Sequence, residues 1–100
     1  MSITEINDRA PIVKAIEECK RLGREPFLKK YGFGRARSYR LVFEGHFYDS
    51  KAIVGVAYGF LPGSPGPLKP QDFSGGDKTV RRLLEGLGLV VETDEPIADP

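Results

Sequence analysis

The sequence predicts an α+β fold, in which helices pack on a small, mostly antiparallel sheet of three strands. Apolar residues recur at helical spacing before residue 32, alternate at period two from Tyr39, and return to helical spacing after residue 50. The expected order of elements in this small single domain is α-α-β-β-α-α-β. One hundred residues suit one domain and leave no room for a second core. We place one domain at residues 1–92 and interpret residues 93–100, which are acidic and carry two prolines, as a linker or disordered tail.

Two helices are expected before residue 33. The first begins near Asn7 or Asp8, either of which can cap the amides of the first turn, and its apolar stripe runs to Cys19. Gly23 ends this helix, and a short second helix then runs to Gly32, because glycine readily takes the left-handed conformation that closes a helix.

A β-hairpin is expected next, with strands at 39–43 and 46–48 joined by a tight turn at Glu44-Gly45. Asp49 or Ser50 is then expected to cap a third helix. In the first strand, odd-numbered residues share one face and even-numbered residues the other. We expect most of the aromatic side chains to pack in the core, namely Phe27, Tyr31, Phe43, Phe47, Phe60 and Phe73.

The last third of the chain opens with a loop at residues 62–70, which hold four of the eight prolines. A fourth helix is expected after Asp77 and ends at Gly88, and the last strand is expected at 89–92. In the third helix, Gly55 and Gly59 lie four residues apart, which predicts a smooth groove that another backbone could approach closely.

Several classes of protein are excluded by composition. The chain has no apolar run near the ~20 residues that a membrane span needs. Its first residues do not resemble a secretory signal, and its single cysteine fits a cytoplasmic protein. The chain has one cysteine and one histidine, which are too few for a Cys/His zinc site and give little support for a catalytic Cys–His or Ser–His pair. We therefore predict no catalytic, metal or cofactor site.

The charge of the chain is strongly segregated. Residues 20–40, the basic segment, hold eight Lys or Arg and one Glu, which gives +7, whereas the whole chain carries only +1. Because the local field rather than the net charge attracts a polyanion, this segment points to nucleic acid.

The loop that closes the basic segment is the first candidate site. It presents Arg35, Arg37, Ser38, Tyr39 and Arg40 between two rigid elements. Guanidinium groups form bidentate hydrogen bonds with phosphate oxygens and with the edges of guanine bases. The alternative is that these arginines are ordinary solvated charges.

The start of the third helix is the second candidate, because its free amides and the side chains of Ser50 and Lys51 could receive an anion. The alternative, favoured by spacing alone, is a plain cap. Tyr39 and Tyr48, which flank these two candidate sites, could also stack on a base. The remaining expected phosphate contacts are Lys29, Lys30, Arg81 and Arg82, although simple solvation of the fourth helix is the favoured explanation for each of the last two.

Four segments together resemble a known family: Tyr31-Gly32-Phe33-Gly34-Arg35-Ala36-Arg37-Ser38-Tyr39, Tyr48-Asp49-Ser50-Lys51-Ala52-Ile53-Val54-Gly55, Asp72-Phe73-Ser74-Gly75-Gly76 and Leu87-Gly88-Leu89. The family is the ScoMcrA-like N-terminal head domain, found at the front of McrA-type, modification-dependent (type IV) restriction endonucleases and of other HNH nucleases. The resemblance spans roughly residues 10–91. It implies a head module whose partner is a C-terminal HNH nuclease domain in the full-length protein.

Three hypotheses follow for function. The leading one is a non-catalytic module that binds double-stranded DNA and could read a modified base. The second is a dimerisation or interdomain docking module, working through the Gly55/Gly59 groove or the loop at 62–70, with a homodimer as one form. The third is an enzyme in which Asp49, Asp72 and Asp77 meet as a cation site, which nothing in their spacing demands.

Overall fold

A computed structural model of the chain describes residues 3–35, 39–73 and 77–93 and shows the predicted α+β architecture. Within these residues lie four α-helices and three strands, in the predicted order. The helices are α1 (Ala10–Leu22), α2 (Arg24–Tyr31), α3 (Ser50–Tyr58) and α4 (Arg82–Gly86), the last preceded by a π-helical turn at Asp77–Arg81. The strands are β1 (Tyr39–Phe43), β2 (His46–Asp49) and β3 (Val90–Thr93). Short 3-10 turns at Ile3–Glu5 and Pro70–Asp72 were not predicted.

The sheet has the order β2-β1-β3, and both neighbours of β1 are antiparallel to it. The hairpin turn at Glu44-Gly45 is confirmed: both residues have positive φ, 51° and 81°, as a two-residue turn of the primed type requires. This turn places Tyr48 opposite Leu41, and Val91 lies opposite Leu41 from the other side. The three buried side chains form the face of the sheet that meets the helices.

Helix α3 is the centre of the core. It packs against α1 and against both strands of the hairpin, and every residue from Ala52 to Tyr58 is buried. Ile12 and Ile16 of α1 are fully buried, as the apolar stripe predicted. Burial of a side chain of this size contributes about 1.5–3 kcal/mol to the stability of the fold. This packing fixes α3 and, with it, the residues at its two ends.

The groove predicted at Gly55 and Gly59 is filled by the chain itself. Leu68 donates its backbone N–H to the carbonyl of Gly55 at 3.0 Å, so the loop at 62–70 folds back onto α3. A Cβ on Gly59 would lie 2.8 Å from the backbone nitrogen of Pro67. The close approach of backbone was therefore predicted correctly, but the groove is not open to a partner.

The predicted core position is wrong for two aromatic residues. Phe47 lies opposite Val42 and is 53% exposed, because the register that buries Tyr48 turns Phe47 to the open face of the sheet. Phe60 is exposed because α3 ends at Tyr58, so the helical spacing does not continue to it.

The predicted helix caps have different outcomes. Asp8 Oδ1 accepts a hydrogen bond from the Ala10 amide at 2.8 Å, which is the role expected at the start of α1. At α3 the N-cap residue, Asp49, makes no side-chain bond to the first turn, and the Ser50 hydroxyl donates to the carbonyl of Tyr39. In the part of the chain that the structure describes, no helix is long and apolar enough to cross a membrane.

Candidate nucleic-acid interface

The start of α3 and the start of β1 are joined directly. Ser50 is almost completely buried, and its Oγ donates a hydrogen bond to the backbone oxygen of Tyr39 at 2.8 Å. The guanidinium of Arg81 lies over the ring of Tyr39, with Cζ 5.8 Å from the ring centroid. Three of the predicted site residues, from three separate segments, therefore meet at one place.

Lys51 lies at the same end of α3. Its Nζ is 5.1 Å from the ring centroid of Phe73, which makes an edge-to-face contact with Phe33. A cation over an aromatic ring is attracted by the charge distribution of the ring and stays available to an anion on its other side. Phe73, the residue after the 3-10 turn at Pro70–Asp72, thus supports the side chain of Lys51.

Arg24 holds the residue just before α3. Its Nε and Nη2 donate to the two carboxylate oxygens of Asp49 at 2.8 and 2.7 Å, and Asp49 is only 5% exposed. The hydrogen bonds that Arg24 donates to this carboxylate raise the pKa of Arg24, so the guanidinium is charged throughout the physiological range. The sequence did not single out Arg24 as a site residue, and no spacing links it to a partner 25 positions further on.

Arg40 lies on the other face of β1 from Tyr39. In the strand ladder it is opposite Asp49 on one side and Glu92 on the other. Its Cζ is 4.7 Å from the ring centroid of Phe47. Arg40 therefore places a guanidinium on the open face of the sheet, one residue from the cluster around Ser50.

Arg35 is held by a surface ion pair. Its Nη2 lies 2.5 Å from a carboxylate oxygen of Glu25, and the two side chains are 66% and 62% exposed. Exposed pairs of this kind contribute about 0–1 kcal/mol, so a phosphate could replace Glu25 at little cost. The predicted contacts Arg37 and Ser38 lie outside the described residues.

Lys30 is engaged between α1 and α2. Its Nζ lies 2.9 Å from Glu18, which also accepts a short hydrogen bond from the Tyr31 hydroxyl. Burial acts to raise the pKa of Glu18, but the hydrogen bonds from Tyr31 and Lys30 outweigh it, and the pKa is lowered overall. Glu18 is therefore ionised at neutral pH and offsets the charge of Lys30. Lys29 and Arg82 are exposed, on α2 and α4 respectively.

Five side chains around the start of α3, on both faces of β1, are called the basic surface below. It consists of Arg24, Tyr39, Arg40, Lys51 and Arg81. Its four cations come from four separate segments, and three of them lie over aromatic rings: Arg81 over Tyr39, Lys51 over Phe73 and Arg40 over Phe47. Guanidinium and ammonium groups suit phosphate oxygens, and an aromatic ring suits the face of a base. Of these residues, Arg24 is the one that the sequence missed.

Two of the three aspartates of the hypothetical cation site are bound by other groups. Asp49 is bound by Arg24, and Asp72 accepts a hydrogen bond from the backbone of Lys69 at 2.8 Å. The side chain of Asp77 lies outside the description. Among the described residues, no group of three or more His, Cys, Asp or Glu is placed to hold a metal ion.

Comparisons with known proteins agree with this architecture. The family model described as "ScoMcrA-like, N-terminal head domain" matches residues 4–93. A solved structure, described as that of the type IV phosphorothioation-dependent restriction endonuclease ScoMcrA, is similar with a TM-score of 0.61 and 32% sequence identity. The similarity covers 90% of this chain and 13% of that chain. The comparison with curated proteins gives no match.

Proposed function

We propose a function on the premise that the chain belongs to the ScoMcrA-like N-terminal head domain family, as the match over residues 4–93 shows. The function is that of a non-catalytic module that binds double-stranded DNA on behalf of a restriction endonuclease. The similar endonuclease is far longer, since this chain spans 13% of it, so the rest of such a protein would supply the HNH nuclease domain.

One observation supports DNA binding more than any other. Arg24, Arg40, Lys51 and Arg81 lie far apart in the sequence, yet all are within one contact of Asp49, Ser50 or their neighbours. Arg24 is paired with Asp49, and Arg81 is paired with Glu85 at 3.1 Å, but both arginine side chains stay partly exposed, so a phosphate could approach them from solvent. The exposed guanidinium of Arg35 would extend the same contact along a sugar–phosphate strand.

The proposal extends to modified DNA. The similar solved structure is described as that of a phosphorothioation-dependent endonuclease, and that modification lies in the phosphate backbone. The basic surface consists mainly of groups that bind phosphates, so a backbone modification would be met there directly. A modified base is the other form of the proposal, and Tyr39 would then lie closest to it.

The experiment measures binding of one fluorescent duplex, prepared in unmodified, methylated, hydroxymethylated and phosphorothioated forms. The double variant Lys51→Ala, Arg81→Ala is expected to weaken binding about tenfold and to flatten the salt dependence by about one unit per lost phosphate contact. A preference for one modified form over the others would show that the module reads that modification.

Lys14→Ala is the matched control. Lys14 also lies over a phenylalanine, with Nζ 6.0 Å from the ring centroid of Phe60, but at the opposite end of α3. The control should bind as the wild type does. Equal effects of the control and the double variant would contradict the basic surface, and absence of binding by the wild type would contradict the proposed function.

A docking module remains the second candidate, and the open face of the sheet favours it. Val90 and Phe47 are both more than half exposed there, on the two edge strands. Large exposed apolar side chains mark contact surfaces when they lie close together. Sedimentation at rising concentration, with and without DNA, separates this candidate from the first one, because only a homodimer shifts in the absence of DNA.

A further inference from the structure

We propose that the cleft beside Phe47 receives an unstacked nucleobase, with the phenylalanine ring as its stacking surface. The proposal rests on the proposed function and supplies the base contact that the basic surface alone does not define. Its ligand class is a nucleotide whose base is not held in a stacked pair, such as a mismatched, bulged or flipped base.

The position of Phe47 is the first argument. It lies on an edge strand of the sheet, and 53% of it is exposed, although a large apolar side chain is normally buried. It makes its strand pair with Val42 on the face of the sheet opposite to the buried Leu41, and the end of α1 and the start of α2 line the cleft beside it. The ring is thus held by a strand and still accessible, as a stacking surface must be.

The surroundings of the ring are the second argument. The guanidinium of Arg40 lies over the ring and lines a small hollow of about 80 Å³. A larger cleft of about 240 Å³ also borders Phe47 but does not include Arg40. The cleft therefore adjoins the part of the ring that the guanidinium leaves open.

The cleft has the chemistry and the size for one nucleotide. Besides Phe47, it is lined by Cys19, Lys20, Gly23, Arg24, His46, Tyr48 and Asp49. An aromatic ring beside cations is the usual arrangement for a stacked base with its flanking phosphates. Clefts for drug-sized ligands measure about 300–1,000 Å³, so this smaller one suits a single base better than a larger molecule.

Charge favours a nucleic acid over a protein as the occupant. Around Phe47 the nearest ionised groups are mainly cations, and Asp49, the carboxylate beside them, is bound by Arg24. Val90, on the other edge strand, lies in a hollow that contains one cation, Arg9, and one carboxylate, Glu44, and Glu92 is two residues further along the strand. Cations therefore do not outnumber carboxylates around Val90, whereas Lys20, Arg24 and Arg40 outnumber Asp49 around Phe47.

The test uses the absence of tryptophan from the chain. Phe47→Trp supplies a single fluorophore in the cleft, and Val90→Trp supplies one at the other edge of the same face. Each variant is titrated with a fully paired duplex and with the same duplex carrying one bulged adenine. We expect strong quenching of the Phe47→Trp emission by the bulged duplex, and little quenching for Val90→Trp, because a stacked base quenches indole directly.

Affinity gives the second readout. Phe47→Ala is expected to weaken binding of the bulged duplex about tenfold, the typical loss of one stacked base, whereas Phe47→Tyr keeps it. Since Phe47 is exposed, the melting temperature should change little, and this is checked for each variant. A variant that fails to fold would show a lowered melting temperature. Phe47→Tyr and Phe47→Trp keep an aromatic ring at this position and should fold as the wild type does.

Three results would overturn the inference. One is equal quenching of the two tryptophans. Another is wild-type affinity of Phe47→Ala for the bulged duplex while the salt-dependent binding of paired DNA persists, which leaves the proposed function intact. The last is a change in sedimentation of Phe47→Ala without a change in DNA affinity, which would assign the ring to a protein contact. Failure of the wild type to bind any DNA would instead reject the proposed function itself.

Discussion

At the residue scale, the pair between Arg24 and Asp49 links stability to the proposed site. A buried carboxylate is costly unless it is paired and hydrogen-bonded, and Arg24 supplies two hydrogen bonds to it. In return, Asp49 fixes the guanidinium of a side chain that is 48% exposed. The same contact therefore satisfies the residue before α3 and holds a cation at the edge of the cleft.

Removal of Arg24 is expected to destabilise the fold. In Arg24→Ala, Asp49 keeps its buried position but loses both hydrogen bonds, so the free energy of unfolding should fall by about 2 kcal/mol. Urea denaturation measures the change. Lys29→Ala is the control, because Lys29 is exposed on the same helix and its loss should alter stability by less than about 0.5 kcal/mol. Equal stability of the two variants would show that the pair contributes nothing.

The sequence contains enough information to place Phe47 but not Arg24. The predicted two-residue turn at Glu44-Gly45 makes Val42 and Phe47 opposite neighbours, so they share one face of the hairpin. We expected Phe47 in the core, but its exposure follows once this pairing is combined with the burial of Leu41 on the other face. The pairing of Arg24 with Asp49 depends on how α2 docks against the hairpin, and no local pattern determines that docking.

At the scale of elements, the small residues of α3 allow the loop at 62–70 to lie against the helix. Gly59 has a φ of −67°, which any residue can adopt, so its role is steric rather than conformational. The backbone of Pro67 occupies the space where a Cβ would be. This contact fixes the far end of α3 and, through the helix, the position of Ser50 and Lys51.

Gly59→Ala is therefore expected to lower the free energy of unfolding by about 1–3 kcal/mol, as overpacking does. Gly86→Ala is the matched control. Gly86 is the last residue of α4, and a Cβ there would meet nothing within 4 Å, so the substitution should be neutral or stabilise by up to about 1 kcal/mol. Thermal denaturation of both variants checks the difference. A Gly59→Ala protein as stable as the wild type would show that the loop can move away from the helix without loss.

The order of elements could be predicted because periodicity, glycine stops and the hairpin turn are all local signals. The details of their ends could not. The sequence predicts Asp49 or Ser50 as an ordinary cap. The Asp49 carboxylate instead accepts two hydrogen bonds from Arg24, because two charge-assisted hydrogen bonds are stronger than one capping bond. Likewise, the start of the fourth helix is π-helical, a rare form that single-sequence patterns do not indicate.

At the scale of the whole molecule, a net charge of +1 describes the protein poorly. Cations of the basic segment are partly neutralised within the fold, as Lys30 is by Glu18 and Arg35 is by Glu25. Arg24 is likewise paired with Asp49, and outside the segment Lys51 and Arg81 lie over the rings of Phe73 and Tyr39 near the start of α3. The site could be predicted as a region of charge, whereas its exact members depend on tertiary packing.

This arrangement predicts a strong but bounded salt dependence of DNA binding. If Arg24, Arg35, Lys51 and Arg81 each neutralise one phosphate, log affinity should fall with log salt at a slope of about −3.6, from roughly −0.9 per phosphate contact. Affinity would then drop about a hundredfold between 50 and 200 mM KCl, while the melting temperature of the protein alone changes little. Fluorescence anisotropy of a labelled duplex across this range gives the slope. A value near zero would mean that the cations do not meet the backbone, and a slope near −1 would reduce the contact to a single side chain.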